Sequence, residues 1–334
     1  TTTTVKKSNQ SPNGRNLVGG IYIKDNDLWA IANKGGEHAT DYAEGGGYVK
    51  YNLANDQSEF TPNKYVQIQR NVQSAFQISA VDEGNNKLYQ ITDLYKELDR
   101  QKNFVRTDMI TGEHKSLKQI DANTFLTSPI FMNGKVYFAN ADSIKVYNTV
   151  SEQFETSSYI GDKLVYGLAK GELIKGTDNK LYGYTSNLRD NGGTTKSCIF
   201  SYDLSDGTVV IVAEFGVGCR SFNASLTEYN NKLYGASNYG GTNSNGYIFS
   251  MDMTTNKVDT LYNIDGATDG RIFEGSFTVY ADELYALAYS GGQNGNGTLV
   301  SFDPSDNSLT TLQHLTVENG RPFKSTPAFW DEKI

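Results

Sequence analysis

A repeat of about 50 residues returns along this 334-residue chain, and it limits the possible folds more than any other feature. Its clearest copies are Asn231-Lys-Leu-Tyr-Gly-Ala-Ser-Asn-Tyr-Gly-Gly241 and Asp282-Glu-Leu-Tyr-Ala-Leu-Ala-Tyr-Ser-Gly-Gly292. Each runs through a Gly/Asn loop into Gly246-Tyr-Ile-Phe-Ser-Met-Asp252 or Gly297-Thr-Leu-Val-Ser-Phe-Asp303. An earlier copy holds Lys180-Leu-Tyr-Gly and Cys198-Ile-Phe-Ser-Tyr-Asp203, and degenerate ones keep Leu28-Trp29, Leu88-Tyr89 and Val136-Tyr137. An apolar residue followed three places later by a small one marks the start of each copy. The pairs are Leu17/Gly20, Phe76/Ser79, Phe125/Ser128, Leu168/Gly171, Phe222/Ser225, Phe273/Ser276 and Phe323/Thr326.

Each full copy contains four short strand-like stretches separated by turn residues. One follows the apolar mark, one lies at Leu-Tyr, one ends in Asp or Asn, and the last is rich in Thr and Val. Four antiparallel strands per repeat, arranged radially, make the blade of a β-propeller, so an all-β fold is predicted. The Leu-Tyr strand alternates large and small residues (Leu233, Tyr234, Gly235, Ala236), as a strand packed between two neighbouring blades requires. Asn52, Asp108, Asn148, Asp203, Asp252 and Asp303 end the third strands, where a short side chain that bonds its own backbone builds the turn.

The blades start near Arg15, Ser74, Asn123, Tyr166, Arg220, Arg271 and Arg321, within one domain spanning residues 1–334. Asn13-Gly14-Arg15 matches Asn319-Gly320-Arg321, so Thr1 to Lys7 reads as a fourth strand without its earlier partners. Phe323 to Ile334 reads as a first strand without its later ones. Six complete blades plus partial blades at the termini are expected, giving a seven-bladed parent if both pieces belong to one blade and a larger one if they belong to different blades. The chain, starting at Thr without Met, reads as a segment of a longer protein with further domains.

Composition agrees with strands and tight turns: 22 Tyr, 16 Phe and 33 Gly against only 6 Pro. The formal net charge is −8 and no Lys/Arg run is present to neutralise a series of phosphates, which argues against nucleic acid as a partner. No apolar stretch approaches the roughly 18 residues of a membrane span. Cys198, at the start of an outer strand, and Cys219, just beyond the end of the strand pairing with it, are candidates for a disulfide, which would need an oxidising compartment. Two unlinked thiols are the alternative.

The phrases Asn-Lys-Leu-Tyr-Gly-Ala-Ser-Asn-Tyr-Gly-Gly-Thr and Gly-Tyr-Ile-Phe-Ser-Met-Asp, with the link Asn-Ile-Asp-Gly-Ala-Thr-Asp-Gly, resemble the GloVer tandem repeats of bacterial secreted or surface-anchored proteins. The likeness covers roughly residues 170 to 330. It implies an extracellular bacterial propeller and carries no agreed activity.

First strands of a propeller line its central channel, and ligands usually bind on the face where the links into them open. Arg15, Arg220, Arg271 and Arg321 stand at blade entrances on that face. Four guanidinium groups there would form a positive focus for carboxylate or sulfate, pointing to an anionic polysaccharide. The competing reading is that each Arg ties its link to the neighbouring blade through backbone carbonyls. Long Gly/Asn-rich loops on the same face carry Tyr42, Tyr239 and Tyr289, whose rings suit stacking on a sugar, although packing is the commoner use of Tyr.

Catalytic signals are thin. Three histidines in three different blades build neither a nucleophilic triad nor a zinc site. His38 and Tyr42, on one loop, are the only pair with a faint likeness to propeller polysaccharide lyases. Asp265 and Asp269 in Asp265-Gly-Ala-Thr-Asp-Gly270 are weak calcium candidates that turn chemistry explains equally well, and no other cofactor is expected. The leading expectation is a non-catalytic extracellular module, of adhesin or biofilm-matrix type, that binds carbohydrate or another surface polymer. A glycan-processing enzyme and a display scaffold are the alternatives.

Overall fold

The computed structural model describes residues 15–24, 26–34, 47–55, 57–62, 80–96, 99–111, 113–120, 127–161, 168–186, 197–215, 224–318, 322 and 326–329. Six antiparallel sheets lie among them. Sheet 1 holds β1 (Arg15–Lys24), β2 (Asp27–Lys34), β3 (Gly47–Asn52) and β4 (Gln57–Pro62). Sheet 2 holds β5 (Ala80–Asp82), β6 (Lys87–Lys96), β7 (Asp99–Asp108) and β8 (His114–Ile120). In sheet 3, β9 (Ile130–Met132), β10 (Lys135–Asn140) and β11 (Ser143–Asn148) are followed by a split fourth strand, β12 (Gln153–Phe154) and β13 (Ser158–Tyr159). Sheet 4 holds β14 (Leu168–Lys175), β15 (Lys180–Ser186), β16 (Ser197–Asp203) and β17 (Val209–Phe215). Sheet 5 holds β18 (Thr227–Tyr229), β19 (Lys232–Ser237), β20 (Tyr247–Asp252) and β21 (Val258–Asn263). In sheet 6 the first strand is split into β22 (Arg271–Phe273) and β23 (Thr278–Tyr280), followed by β24 (Glu283–Ser290), β25 (Thr298–Asp303) and β26 (Ser308–His314).

These are the four strands expected from each repeat, and their third strands end where Asp or Asn was read. The turn chemistry is as expected too. The side-chain oxygen of Asn52 accepts from the amides of Ala54 and Asn55, Asp108 from Ile110 and Thr111, and Asn148 from Val150 and Ser151. Asp252 accepts from Thr254 and Thr255, while Asp203 and Asp303 accept from Ser205 and Ser305. The bond to Lys87 and the two turn amides hold Asp108 well below the usual carboxylate range.

Neighbouring sheets meet along their first and second strands, which is the radial arrangement of a β-propeller. β5 lies against β9, β9 and β10 lie against β14, and β19 lies against β22. Ser128 and Glu172 form a parallel bridge across one such junction. The small residues of the apolar marks sit where the blades converge. Ser128 donates its amide to Gly171, Glu172 to the Ser225 hydroxyl at 2.8 Å, and Ser276 to the Thr326 hydroxyl at 3.0 Å. Thr227 donates its hydroxyl to the Phe277 carbonyl, and Thr278 repeats that bond onto Pro327. Phe329 stacks on Tyr280 at 4.2 Å, so residues 326–329 cover sheet 6 as an inner strand would.

The core fills the spaces between blades. Met132, Tyr137 and Ile144 of sheet 3 pack with Leu173, Leu181 and Phe200 of sheet 4. Tyr182, Tyr184 and Ile199 of sheet 4 pack with Leu233, Phe249 and Met251 of sheet 5. Tyr234, Ala236 and Ile248 then pack with Phe273, Ala288 and Phe302 of sheet 6. Residues of β10, β15 and β19 are divided between the two neighbouring blades, which is the physical basis of the near-continuous burial of β19.

Candidate functional site

In each sheet the first strand starts and the second strand ends on the same side of the propeller, as the pairing of Arg271 with Ser290 shows. Arg15 opens β1 and Arg271 opens β22, the blade entrances at which both were expected. The Arg271 guanidinium is exposed and makes no hydrogen bond or ion pair among the described residues. The carbonyl-tying role set against ligand binding is therefore not seen for Arg271 among those residues. Arg220, Arg321, Tyr42, His38 and Cys219 lie outside the described residues.

The two described Gly/Asn loops on this face are built structures rather than open displays. In the loop after β19, the Thr242 amide donates to the Asn263 side chain and the Asn243 amide group to the Ile264 carbonyl. In the loop after β24, Gln293 and Asn294 donate to His314 in the corresponding place, so His314 fastens a loop. A Cβ on Gly246 would lie 1.9 Å from the Ser237 carbonyl oxygen, and one on Gly297 would lie 2.0 Å from that of Ala288. Both residues have φ near +99°. The Gly content of these loops is thus a packing requirement.

Tyr239 stands on its loop with half its surface exposed. Tyr289 corrects the expectation of a loop residue. It lies inside β24, because pairing with Arg271 extends that strand to Ser290, and it is partly buried.

The link Asp265 to Gly270 also has its chemistry occupied. The Asp269 carboxylate accepts from the Asp265 amide at 2.8 Å, the Tyr262 hydroxyl at 3.0 Å and the Thr268 hydroxyl at 2.8 Å. Asp265 accepts from the Ala267 amide. Among the described residues no group of three or more His, Cys, Asp or Glu side chains is arranged to hold a metal. Cys198 is a buried free thiol beside the Thr185 hydroxyl, and burial pushes it up to about 11.

The inner strands carry acids that the sequence reading passed over. Glu172, on β14, keeps part of its surface accessible although protein surrounds it, and burial pushes its carboxyl up to about 8 against a hydrogen bond with Ser128. Tyr184 is raised well above its usual value by burial, with Glu172 and Glu274 adding to the effect. Placing an acid one residue beyond the Gly171 mark, on a strand facing the channel, was the only signal available in the sequence.

Four-stranded antiparallel blades joined along their inner strands, with cationic and aromatic side chains on the loop face, define a β-propeller built from tandem repeats. The chain belongs to the Gloeobacter/Verrucomicrobia repeat family, whose pattern matches residues 144–328. Solved structures share the fold at low identity. The extracellular domain assigned to a one-component system of B. thetaiotaomicron superposes with a TM-score of 0.57 at 14% identity, over 92% of this chain and 35% of that one. An oligogalacturonate lyase in complex with manganese gives 0.53 at 15% identity, over 82% of this chain and 73% of that one. A prolyl endopeptidase gives 0.56 at 9% identity, over 89% and 43%. The chain thus spans about a third of that extracellular domain's length. No curated protein matches it. Among the described residues no helix is long and apolar enough to cross a membrane.

Proposed function

We propose that this propeller is an extracellular binding module of a bacterial secreted or surface protein, taking an acidic polysaccharide or another anionic surface polymer on its loop face. The observation that carries the reading is Arg271, exposed at a blade entrance without a protein partner among the described residues. A guanidinium in that state is available to fork onto a carboxylate or sulfate brought by a ligand. The half-exposed Tyr239 ring on the same face supports it. The family's bacterial repeat and the extracellular domain among its structural likenesses support the location. A role in adhesion or in an extracellular matrix would follow from such binding.

A glycan array with uronate-containing, sulfated and neutral polymers tests the reading, followed by ultraviolet absorbance to detect unsaturated products. Binding of acidic polymers without turnover is expected. Turnover would make the protein a lyase, and absence of binding would leave a scaffold.

A further inference from the structure

Sheets 5 and 6 face each other through Tyr234 and Ala236 on one side and Phe273, Ala286 and Ala288 on the other. Strand alternation carries the same faces up to the loop side of the junction. β19 ends at Ser237 and Asn238 follows it directly, one step further along the same alternation; the next residue on that face of β24 is Ser290, and the next on β22 is Arg271, the partner of Ser290 in the ladder. The junction between these blades is thus capped by an amide, a hydroxyl and a guanidinium.

Their bonding state is unusual for protein interiors. Asn238 is only 4% exposed, and neither its amide nitrogen nor its carbonyl oxygen has a partner among the described residues. The Ser290 hydroxyl is buried in the same condition. Buried polar atoms are ordinarily satisfied, and leaving them unmade is costly, so three such atoms at the loop-side ends of β19 and β24, with the unpaired Arg271 on the strand that pairs with β24 and lies against β19, point to a ligand that completes them. An amide offers two donors and an acceptor, and a hydroxyl offers one of each, which matches the alternating demands of ring hydroxyls. The guanidinium matches a carboxylate. A bare anion could accept from the amide and the hydroxyl but would leave the Asn238 carbonyl oxygen without a donor, which a ring hydroxyl supplies.

We propose that the loop-side end of the junction between sheets 5 and 6 is a subsite for one carboxylate-bearing sugar residue. Arg271 holds the carboxylate while Asn238 and Ser290 read neighbouring hydroxyls. This subsite rests on the glycan-binding reading above and assigns it a place.

The test is calorimetric titration with a hyaluronan hexasaccharide, an oligogalacturonate, their carboxyl-reduced forms, free glucuronate and inorganic sulfate. Wild type, Arg271→Gln, Asn238→Leu and Ser290→Ala are compared, each with its melting temperature. Carboxyl reduction and Arg271→Gln are expected to weaken binding about tenfold. Asn238→Leu and Ser290→Ala should weaken it about fivefold while leaving Tm unchanged or raised, because each removes a buried unpaired group. If wild type binds but all three variants keep its affinity, the subsite lies elsewhere and this inference fails alone. A fall in Tm with unchanged affinity for Asn238→Leu makes that amide structural and overturns the assignment. Sulfate bound as tightly as the oligosaccharides reduces the site to a simple anion hole. No binding of any acidic sugar by wild type sinks the glycan-binding reading and the subsite with it.

Discussion

In sheet 5 Gly235 pairs with Phe249, whereas in sheet 6 the same two positions hold Ala286 and Val300. A Cβ on Gly235 would lie 2.5 Å from the Phe249 ring, so the glycine exists to admit the larger residue across the ladder. Sheet 4 repeats the first solution with Gly183 and Phe200. Volume is conserved between the two blades although neither residue is. The loop frames agree to a greater degree, since Gly246 and Gly297 occupy the same constrained conformation and their loops fold onto Ile264 and Leu315 by the same backbone bond. The side chains at the loop-side ends differ freely: sheet 5 has Asn238 and Tyr239 where sheet 6 has Tyr289 and Ser290. Comparison of the two blades therefore separates a frame that backbone sterics hold constant from a set of side chains free to vary between blades.

The most severe way to break this comparison is to add a methyl group to the shared frame. Gly246→Ala and Gly297→Ala should each cost about 3 kcal/mol or more, measured by urea unfolding, because the new carbon meets a backbone carbonyl at positive φ. Tolerance in one blade and not the other would show that the loops are not equivalent. Next in size is the packing exchange. Gly235→Ala and Phe249→Val should each cost about 2 kcal/mol, and the double variant should recover about 1 kcal/mol or more, as the Ala286/Val300 pair implies. Strict additivity would refute the idea of conserved volume.

Smaller effects sharpen the picture. Asp252 accepts two turn amides and Asp303 one, so Asp252→Ala should lower Tm more than Asp303→Ala. Asp252 is held below its usual value, first by the Thr255 amide, so its contribution is fully present above the unfolded carboxylate value and is lost as pH falls below that value through the lower folded one. Glu172 works in the opposite direction. Its pKa rises from 4.5 to about 8 on folding, so the folded state binds the extra proton and stability declines as pH climbs between those values. Melting curves across that interval should show the decline in wild type, and Glu172→Gln should flatten it. An unchanged slope would remove Glu172 as its source.

Local chemistry was the most legible part of this chain. The six third-strand Asp and Asn residues bond amides two or three places away, so their spacing alone carries their role. The same holds for the four strands of each repeat and for the position of Arg271 at a blade entrance. The apolar-plus-small mark was visible, but its purpose was not, because the Ser225 and Thr326 hydroxyls bond amides about 50 residues away on another blade. Tyr289 was misplaced onto a loop because strand length depends on a partner strand as well as on local turn residues.

Sequence alone determined that this protein is a radial stack of four-stranded units with tight Asx turns, since strand period and turn chemistry act over a few residues. It placed Arg15 and Arg271 at the starts of first strands as well. Tertiary structure decided which glycine makes room for which phenylalanine, that burial raises the Glu172 carboxyl, and that Arg271 pairs with Ser290. Those outcomes depend on faces that meet only when strands pair and neighbouring blades pack, and residues far apart in the chain carry no local signal of that meeting.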